Sequence, residues 1–306
     1  MGETLYITTD SEEHWKQLRG EDVTSTESAA LFDMSPYGTE LELFYRKKTG
    51  ELAVFQDNPR AEAGRILEPS IAALAGIALN CDVLEFKVYA RDAVDKMGSS
   101  FDYEITSGKY KGWLLEIKNV DYLIYRDQWE DDEAPDHIEV QCQHQLELTK
   151  RPGIIIACLV GGNDLKLIPR ERNEKMGRGI RNRIVKFWDD VTLNREPKPN
   201  FSRDAEFIIS LHQTAGDRLV MLPDGDPIGE LLSEYRQTRV DYKAAEDASK
   251  ALKAEILTLI DDDVNKVKYG NLSLSCGEIA STVVEEYTRS GYRGFTVRET
   301  KPKKGK

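Results

Sequence analysis

Leu114-Leu115-Glu116-Ile117-Lys118-Asn119, with Asp102 in Ser100-Phe101-Asp102-Tyr103 thirteen residues before Glu116, decides how this chain is read. The apolar run from Trp113 predicts a buried strand. Because strand side chains alternate, Glu116 and Lys118 share one face. Gly108-Lys109-Tyr110-Lys111-Gly112 reads as a turn after a neighbouring antiparallel strand, Tyr103 to Ser107. Asp102, opening that strand, then converges on Glu116. Glu-x-Lys is also a common solvent-face pair, and the burial implied by Leu114, Leu115 and Ile117 separates the two readings, since an unpaired buried charge is costly. Two carboxylates and an ammonium suit a divalent cation such as Mg²⁺, which takes one or two carboxylates and completes its shell with water and phosphate. Such a site would suit phosphodiester hydrolysis, with Lys118 holding the attacking water or the developing charge.

Working outward, Val83 to Ala90 alternates as one strand. A helix is expected over Pro135–Thr149, carrying Gln141, His144 and Gln145. Ile154 to Val160 is a fully apolar strand that turns at Gly161-Gly162-Asn163-Asp164 into Leu165–Ile168, and helix resumes from about Glu171 through Trp188. Trp129 to Pro135 reads as an acidic, solvated connection. Upstream, helices are expected at 11–20, 26–34 and 39–48, and again from Gly64 to Leu79. Thr24 and Glu27 have capping-box spacing, so the second of these helices should begin there. Its free amides, with Arg19 nearby, would make an anion pocket. Glu68 precedes Pro69, where a kink could turn it inward; a Glu in a helix's first turn is the other reading. Residues 40–190 thus alternate helix and strand as an α/β layer architecture.

Arg195-Glu196-Pro197-Lys198-Pro199 marks a linker or rim loop. The spacing of Leu231, Leu232, Tyr235, Val240, Leu252, Ile256, Leu257 and Ile260 predicts a long helix or helical hairpin. Short strands at 272–275 and 294–298 and a basic tail at 301–306 close the chain. The expected division is 1–222 and 223–306.

With 306 residues, 40% of them hydrophobic, the chain can bury a substantial core. It has no run of about 18 apolar residues and no basic-then-apolar start, which points to a cytoplasmic protein without a membrane span. Cys81, Cys142, Cys158 and Cys276 are scattered, which argues for reduced thiols rather than disulfides, zinc or an iron–sulfur cluster. The net charge of −12 excludes a protein that coats nucleic acid over its whole exterior. A local basic channel remains open to it. Candidate lining residues are Arg19, Arg46 to Lys48, Lys109, Lys111, Lys118, Lys175, Arg178, Arg181 and Arg183.

Several ordered blocks carry a resemblance: Arg19 with Val23 to Ala30, Ser35-Pro36-Tyr37-Gly38-Thr39, Gly64 with Leu67-Glu68-Pro69, the Asp102 segment, Leu115 to Lys118, and Val140 to Leu146. Over about residues 15–190 the chain resembles the YqaJ-type viral recombinases, the phage lambda exonuclease family of the PD-(D/E)xK nuclease superfamily. The family usually reads Pro-Asp-Gly where this chain has Phe101-Asp102-Tyr103. The resemblance implies a restriction-endonuclease-like α/β core, a mixed central sheet flanked by helices, followed here by a C-terminal helical segment with short strands. It implies a 5′→3′ double-strand DNA exonuclease using Mg²⁺ or Mn²⁺, commonly a ring-shaped trimer, that works in a bacterial host with a single-strand annealing protein. Asp102, Glu116 and Glu68 would hold metal, Lys118 would position water, and Gln141 would face the site. Arg19 and Thr26 would meet the 5′-phosphate. A RecB-like or structure-specific nuclease of the same superfamily, or a catalytically silent DNA-binding assembly protein, are the alternatives.

Overall fold

The computed structural model describes residues 2–51, 59–129, 131, 133–214 and 216–279. The chain divides into two compact units, Met1–Ile208 and Ile209–Lys306. The first contains, in order, β1 (Thr4–Ile7), α1 (Glu12–Glu21), β2 (Val23–Thr24), a 3₁₀ turn (Ser28–Phe32), α2 (Glu40–Thr49), α3 (Pro59–Leu79), β3 (Val83–Glu85), β4 (Tyr89–Asp92), β5 (Met97–Ser99), β6 (Tyr103–Ile105), β7 (Leu114–Val120), α4 (Tyr122–Gln128), α5 (Asp136–Thr149), β8 (Gly153–Val160), β9 (Asp164–Glu171) and α6 (Glu174–Thr192). A short α7 (Ala205–Leu211) stands at the division. The second unit contains α8 (Pro227–Thr258) and a hairpin of β10 (Lys266–Tyr269) and β11 (Leu272–Ser275).

The mixed α/β architecture expected from the sequence is present. A five-stranded sheet runs β3-β6-β7-β8-β9, antiparallel throughout except for the parallel pair β7–β8. That pair places Glu116 opposite Ile156 and Lys118 opposite Cys158, at the centre of the sheet. The β6–β7 turn closes with Ile105 and Gly112 exchanging backbone bonds with their partners. Gly108 (φ 75°) and Gly112 (φ 89°) occupy the left-handed region that glycine tolerates best. On one face Leu115, Ile117, Ile155 and Ala157 pack with Ile71, Ala72 and Ala75 of α3. On the other, Leu114, Ile154, Ile156 and Cys158 join Cys142 and Leu146 of α5 and Ile184 and Phe187 of α6. Burying both faces makes β8 a continuous apolar run, as a central strand requires.

The structure corrects several expectations. Val83 to Ala90 is not one strand: β3 belongs to the five-stranded sheet, while β4 joins a second sheet ordered β1-β4-β5-β2. A tight turn between Phe86 and Val88 makes the switch, and a period-two pattern cannot reveal a change of sheet. Within residues 26–34 the structure has a 3₁₀ turn at Ser28–Phe32 rather than an α-helix. Only half of the expected capping box exists there: Glu27 reaches back to the Thr24 amide at 2.9 Å, but the Glu27 amide bonds the Thr24 carbonyl instead of its hydroxyl. The complete box stands at Thr39 and Glu42, opening α2. Pro69 lies inside a continuous α3, neither ending nor starting a helix.

The solvated acidic connection begins later than expected, because Trp129 caps α4 (122–128) and is buried against Tyr125. Residues 130 and 132 lie outside the described residues, as do the expected strand at 294–298 and the tail at 301–306. Arg181 does not line a channel: it is buried, with Asp92, Asp95 and Glu147 all within 3.0 Å.

Candidate active site

Glu116 and Lys118 project from the same face of β7 toward α5, as alternation requires. Lys118 Nζ lies 2.7 Å from Glu116 Oε1 and donates to Gln141 Oε1 at 3.3 Å. Gln141 Nε2 donates to Glu116 Oε1 at 2.6 Å, and Gln145 Nε2 donates to Oε2 at 3.0 Å. Both oxygens of a carboxylate that is only 3% exposed are therefore held. The residues at 141 and 145 lie one turn apart on α5, which puts both amides on the face that meets β7. Gln145 was legible as a neighbour of Gln141 by that spacing; its role as the second clamp was not.

Asp102 sits just before β6, and its Oδ2 accepts from the Ile117 amide at 2.8 Å. This bond fastens it beside Glu116 at the place where β6 and β7 diverge. Burial, and next the Glu116 charge, push the Asp102 carboxyl well above the ordinary carboxylate range, with Lys118 acting against them. Glu68, on α3, is raised by the same two causes in the same order. Burial on its own would lower Lys118, but the Glu116 and Asp102 carboxylates outweigh it and keep the ammonium charged. The structure thus brings Glu68, Asp102, Glu116, Lys118 and Gln141 into one electrostatic neighbourhood.

Three acids whose charges oppose one another, with Lys118 as the cation in their midst, form a donor set that fits a hard divalent ion. Among the described residues no three His, Cys, Asp or Glu side chains encircle such an ion by themselves. That is compatible with an ion held by one or two carboxylates and otherwise by water and substrate oxygens.

A second cluster adjoins the first. Arg19 Nη2 donates to Thr26 Oγ1 at 3.2 Å, and the Arg19 guanidinium lies 4.7 Å from the centroid of the Trp15 ring. Trp15 Nε1 in turn donates to Ser100 Oγ at 2.8 Å, two residues from Asp102. Lys47, with a side chain only 2% exposed, donates to the Arg19 carbonyl at 2.7 Å and pairs with Glu27 at 3.0 Å. Arg46 pairs with the other Glu27 oxygen at 2.6 Å. Sequence reasoning placed Lys47 in a channel lining; it is instead the buried prop under Arg19.

Burial would raise Glu27, but Lys47 and then Arg46 outweigh it and hold the carboxyl below its usual range. A lowered carboxyl stabilises the fold fully above the ordinary carboxylate pKa, and that contribution is lost as pH falls through the lowered value. Glu27→Gln is therefore expected to cost about 3 kcal/mol at neutral pH, because it leaves Lys47 buried without its counter-charge. Urea unfolding should show the gap to wild type narrowing in acid; a gap independent of pH would contradict the ion-pair account.

His144 is a core residue. Its Nε2 lies 3.0 Å from the Gly98 carbonyl, and burial lowers its pKa to about 3, so it is neutral. A Cβ at Gly98 would strike the Tyr89 hydroxyl and the Asp22 carboxylate, so glycine is needed for those two side chains to lie against this strand.

Residues 14–152, which contain every side chain of both clusters, match the model of the YqaJ-like viral recombinase domain. That segment, a little under half of the chain, is similar to the YqaJ-like viral recombinase domain. A curated relative, the YqaJ protein of Bacillus subtilis (strain 168), is 25% identical over 187 residues; the match spans 60% of this chain and 57% of that protein's length. Among solved structures, the alkaline exonuclease LHK-Exo from Laribacter hongkongensis superposes with a TM-score of 0.50 at 19% identity, covering 64% of this chain and 99% of its own. The same exonuclease in complex with dAMP aligns at 20% identity and a TM-score of 0.50, with the same coverage. The first unit therefore shares the mixed α/β fold of that exonuclease, as the sequence implies.

Proposed function

We propose that this chain is a metal-dependent DNA exonuclease of a phage-type recombination system, resecting linear duplex ends in the 5′→3′ direction to leave 3′ single-stranded overhangs. The observation that supports this reading best is the convergence of Glu116, Lys118 and Gln141 on the face of β7, with Asp102 tied to the Ile117 amide beside them. Asp102 and Glu116, with Glu68 in their field, would hold Mg²⁺ or Mn²⁺. When bound, the ion supplies Lewis acidity toward a phosphoryl oxygen and lowers the pKa of water. Gln141 and Gln145 keep the Glu116 carboxylate from rotating. Lys118, kept charged by its carboxylate neighbours, would supply a cation and donors to the attacking oxygen or the developing phosphoryl charge.

Arg19 and Thr26 would receive the 5′-phosphate, as charge-assisted donors do. An acidic exterior is compatible with such a pocket, because the local field governs binding there. The first unit acts as the nuclease, and the C-terminal helical unit serves assembly or partner contact. The working form is a cytoplasmic homo-oligomer, a trimer by family, paired with a single-strand annealing protein. Among the described residues no helix is long and apolar enough to cross a membrane.

Digestion of an end-labelled linear duplex with Mg²⁺, with and without a 5′-phosphate and beside a covalently closed circle, tests the reading. Label should be released from the 5′ end, the phosphorylated end should be preferred, and the circle should survive. Nicking of the circle would point to an endonuclease, and an inert protein to a silent binder. Arg19→Ala should abolish the 5′-phosphate preference, with a loss of roughly 10-fold in kcat/KM on phosphorylated ends and little change on hydroxyl ends. An equal loss on both ends would remove Arg19 from phosphate recognition.

A further inference from the structure

A cavity of about 240 Å³ adjoins the candidate active site and reaches Thr26 of the Arg19 cluster. Thr26, Lys118 and Gln141 line it together with Tyr37, His137 and Gln128. We propose that Tyr37 and His137 form a subsite for the nucleobase of the DNA strand end being cleaved, next to the groups that hold its phosphate. The proposal rests on the nuclease reading above and names residues which that reading leaves without a role.

Tyr37 is 86% exposed, so its ring adds almost nothing to the core. Its backbone is nevertheless tied down. The Tyr37 amide donates to Ser35 Oγ at 3.1 Å, and Arg203 donates to the carbonyls of Asp33, at 3.1 Å, and Ser35. Pro36 between them locks its own φ. An exposed aromatic on an anchored loop is a contact surface presented at little ordering cost. The ring stands edge-on to His137, with centroids 5.8 Å apart and planes at 83°. His137 lies in the first turn of α5, one turn before Gln141, so the helix fixes the imidazole relative to the Glu116 clamp. Burial, and then the Lys118 charge, lower the His137 pKa and leave its ring neutral, able to offer one donor and one acceptor.

The cavity lining holds two kinds of group, as a nucleotide does. The cation, amide and hydroxyl of Lys118, Gln141 and Thr26 suit a phosphate, and the rings of Tyr37 and His137, with their neutral donors and acceptors, suit a base. The volume falls below the roughly 300–1,000 Å³ that takes a whole drug-sized ligand, so it admits a single base and not a duplex. Stacking tolerates any sequence because every base has a π-face. That is what an enzyme digesting arbitrary ends needs.

The test is steady-state digestion of 5′-phosphorylated linear duplexes whose terminal residue is either intact or abasic. Wild type should show a KM roughly 10-fold higher on abasic ends. Tyr37→Ala should raise KM by about the same factor on intact ends, with kcat changed by less than about twofold, and should have no further effect on abasic ends. His137→Ala should behave likewise, and His137→Phe should restore the wild-type KM. Equal wild-type KM on both ends, or a Tyr37→Ala defect of the same size on both, overturns the subsite. If wild type cuts no DNA at all, the nuclease reading fails, and the subsite is then read by anisotropy of a 3′-labelled, 5′-phosphorylated single strand. Binding weakened roughly 10-fold by Tyr37→Ala sustains the subsite, and binding that is absent or indifferent to Tyr37 removes it.

Discussion

Lys118→Ala should reduce nuclease turnover by on the order of 1,000-fold while the chain still folds. The ammonium is 2.7 Å from Glu116 and 3.3 Å from the Gln141 carbonyl oxygen, and no rearrangement of the flanking apolar residues can replace it. Deletion leaves Glu116 almost fully buried without its cation, so a stability loss of about 3 kcal/mol accompanies the activity loss. The two effects separate experimentally. Circular dichroism and urea unfolding report the second, and single-turnover cleavage at temperatures where the variant is folded reports the first. Cleavage within tenfold of wild type in a folded Lys118→Ala would take this side chain out of the chemistry.

Asp102→Asn is expected to have two effects of opposite sign: loss of activity by on the order of 1,000-fold and a gain in stability in metal-free buffer at neutral pH. The Asp102 carboxyl is raised above its ordinary value of 3.8 by burial and by Glu116. A folded-state pKa above the unfolded one means that the native state is most favoured while the acid is protonated. Its stability falls as pH rises from the unfolded value toward the folded one. Asparagine has no such titration and still offers an oxygen to the Ile117 amide, which Asp102 now satisfies at 2.8 Å. Thermal unfolding midpoints should therefore coincide below about pH 4 and diverge in favour of the variant above it. Mg²⁺ should raise the wild-type midpoint by mass action and leave the variant unmoved. Parallel pH curves for the two proteins would show that Asp102 is not the strained carboxyl described here.

Both expectations turn on a few residues whose legibility in the sequence differs. Glu116 and Lys118 could be placed on one face from alternation alone, and Asp102 beside them from a five-residue turn with glycine at each end. These are short-range inferences, within one hairpin. Gln141 came from the family resemblance, and Gln145 from neither route as a clamp, because its function depends on which face of α5 meets β7. Glu27 was read as half of a helix cap, which it is at the Thr24 amide. Its larger part, gathering Arg46 and Lys47 beneath Arg19, joins α2 to the segment after α1 and has no local signature. Arg181 is the converse case: in sequence it is one more basic residue on a helix, and in space it is the hub of three carboxylates.

The amino-acid order by itself determined the alternation of helix and strand, the central place of β7 and β8, and the pairing of one acid and one base on a single strand face. Each of these follows from side-chain periodicity and from the cost of burying charge, which act over a few residues. Only the tertiary structure decided that β3 and β4 part into different sheets, that two glutamines grip both oxygens of Glu116, and that Tyr37 and His137 meet beside Lys118. These arrangements join segments tens of residues apart, and what sets them is how helices and sheets pack on shared apolar faces, which no local pattern encodes.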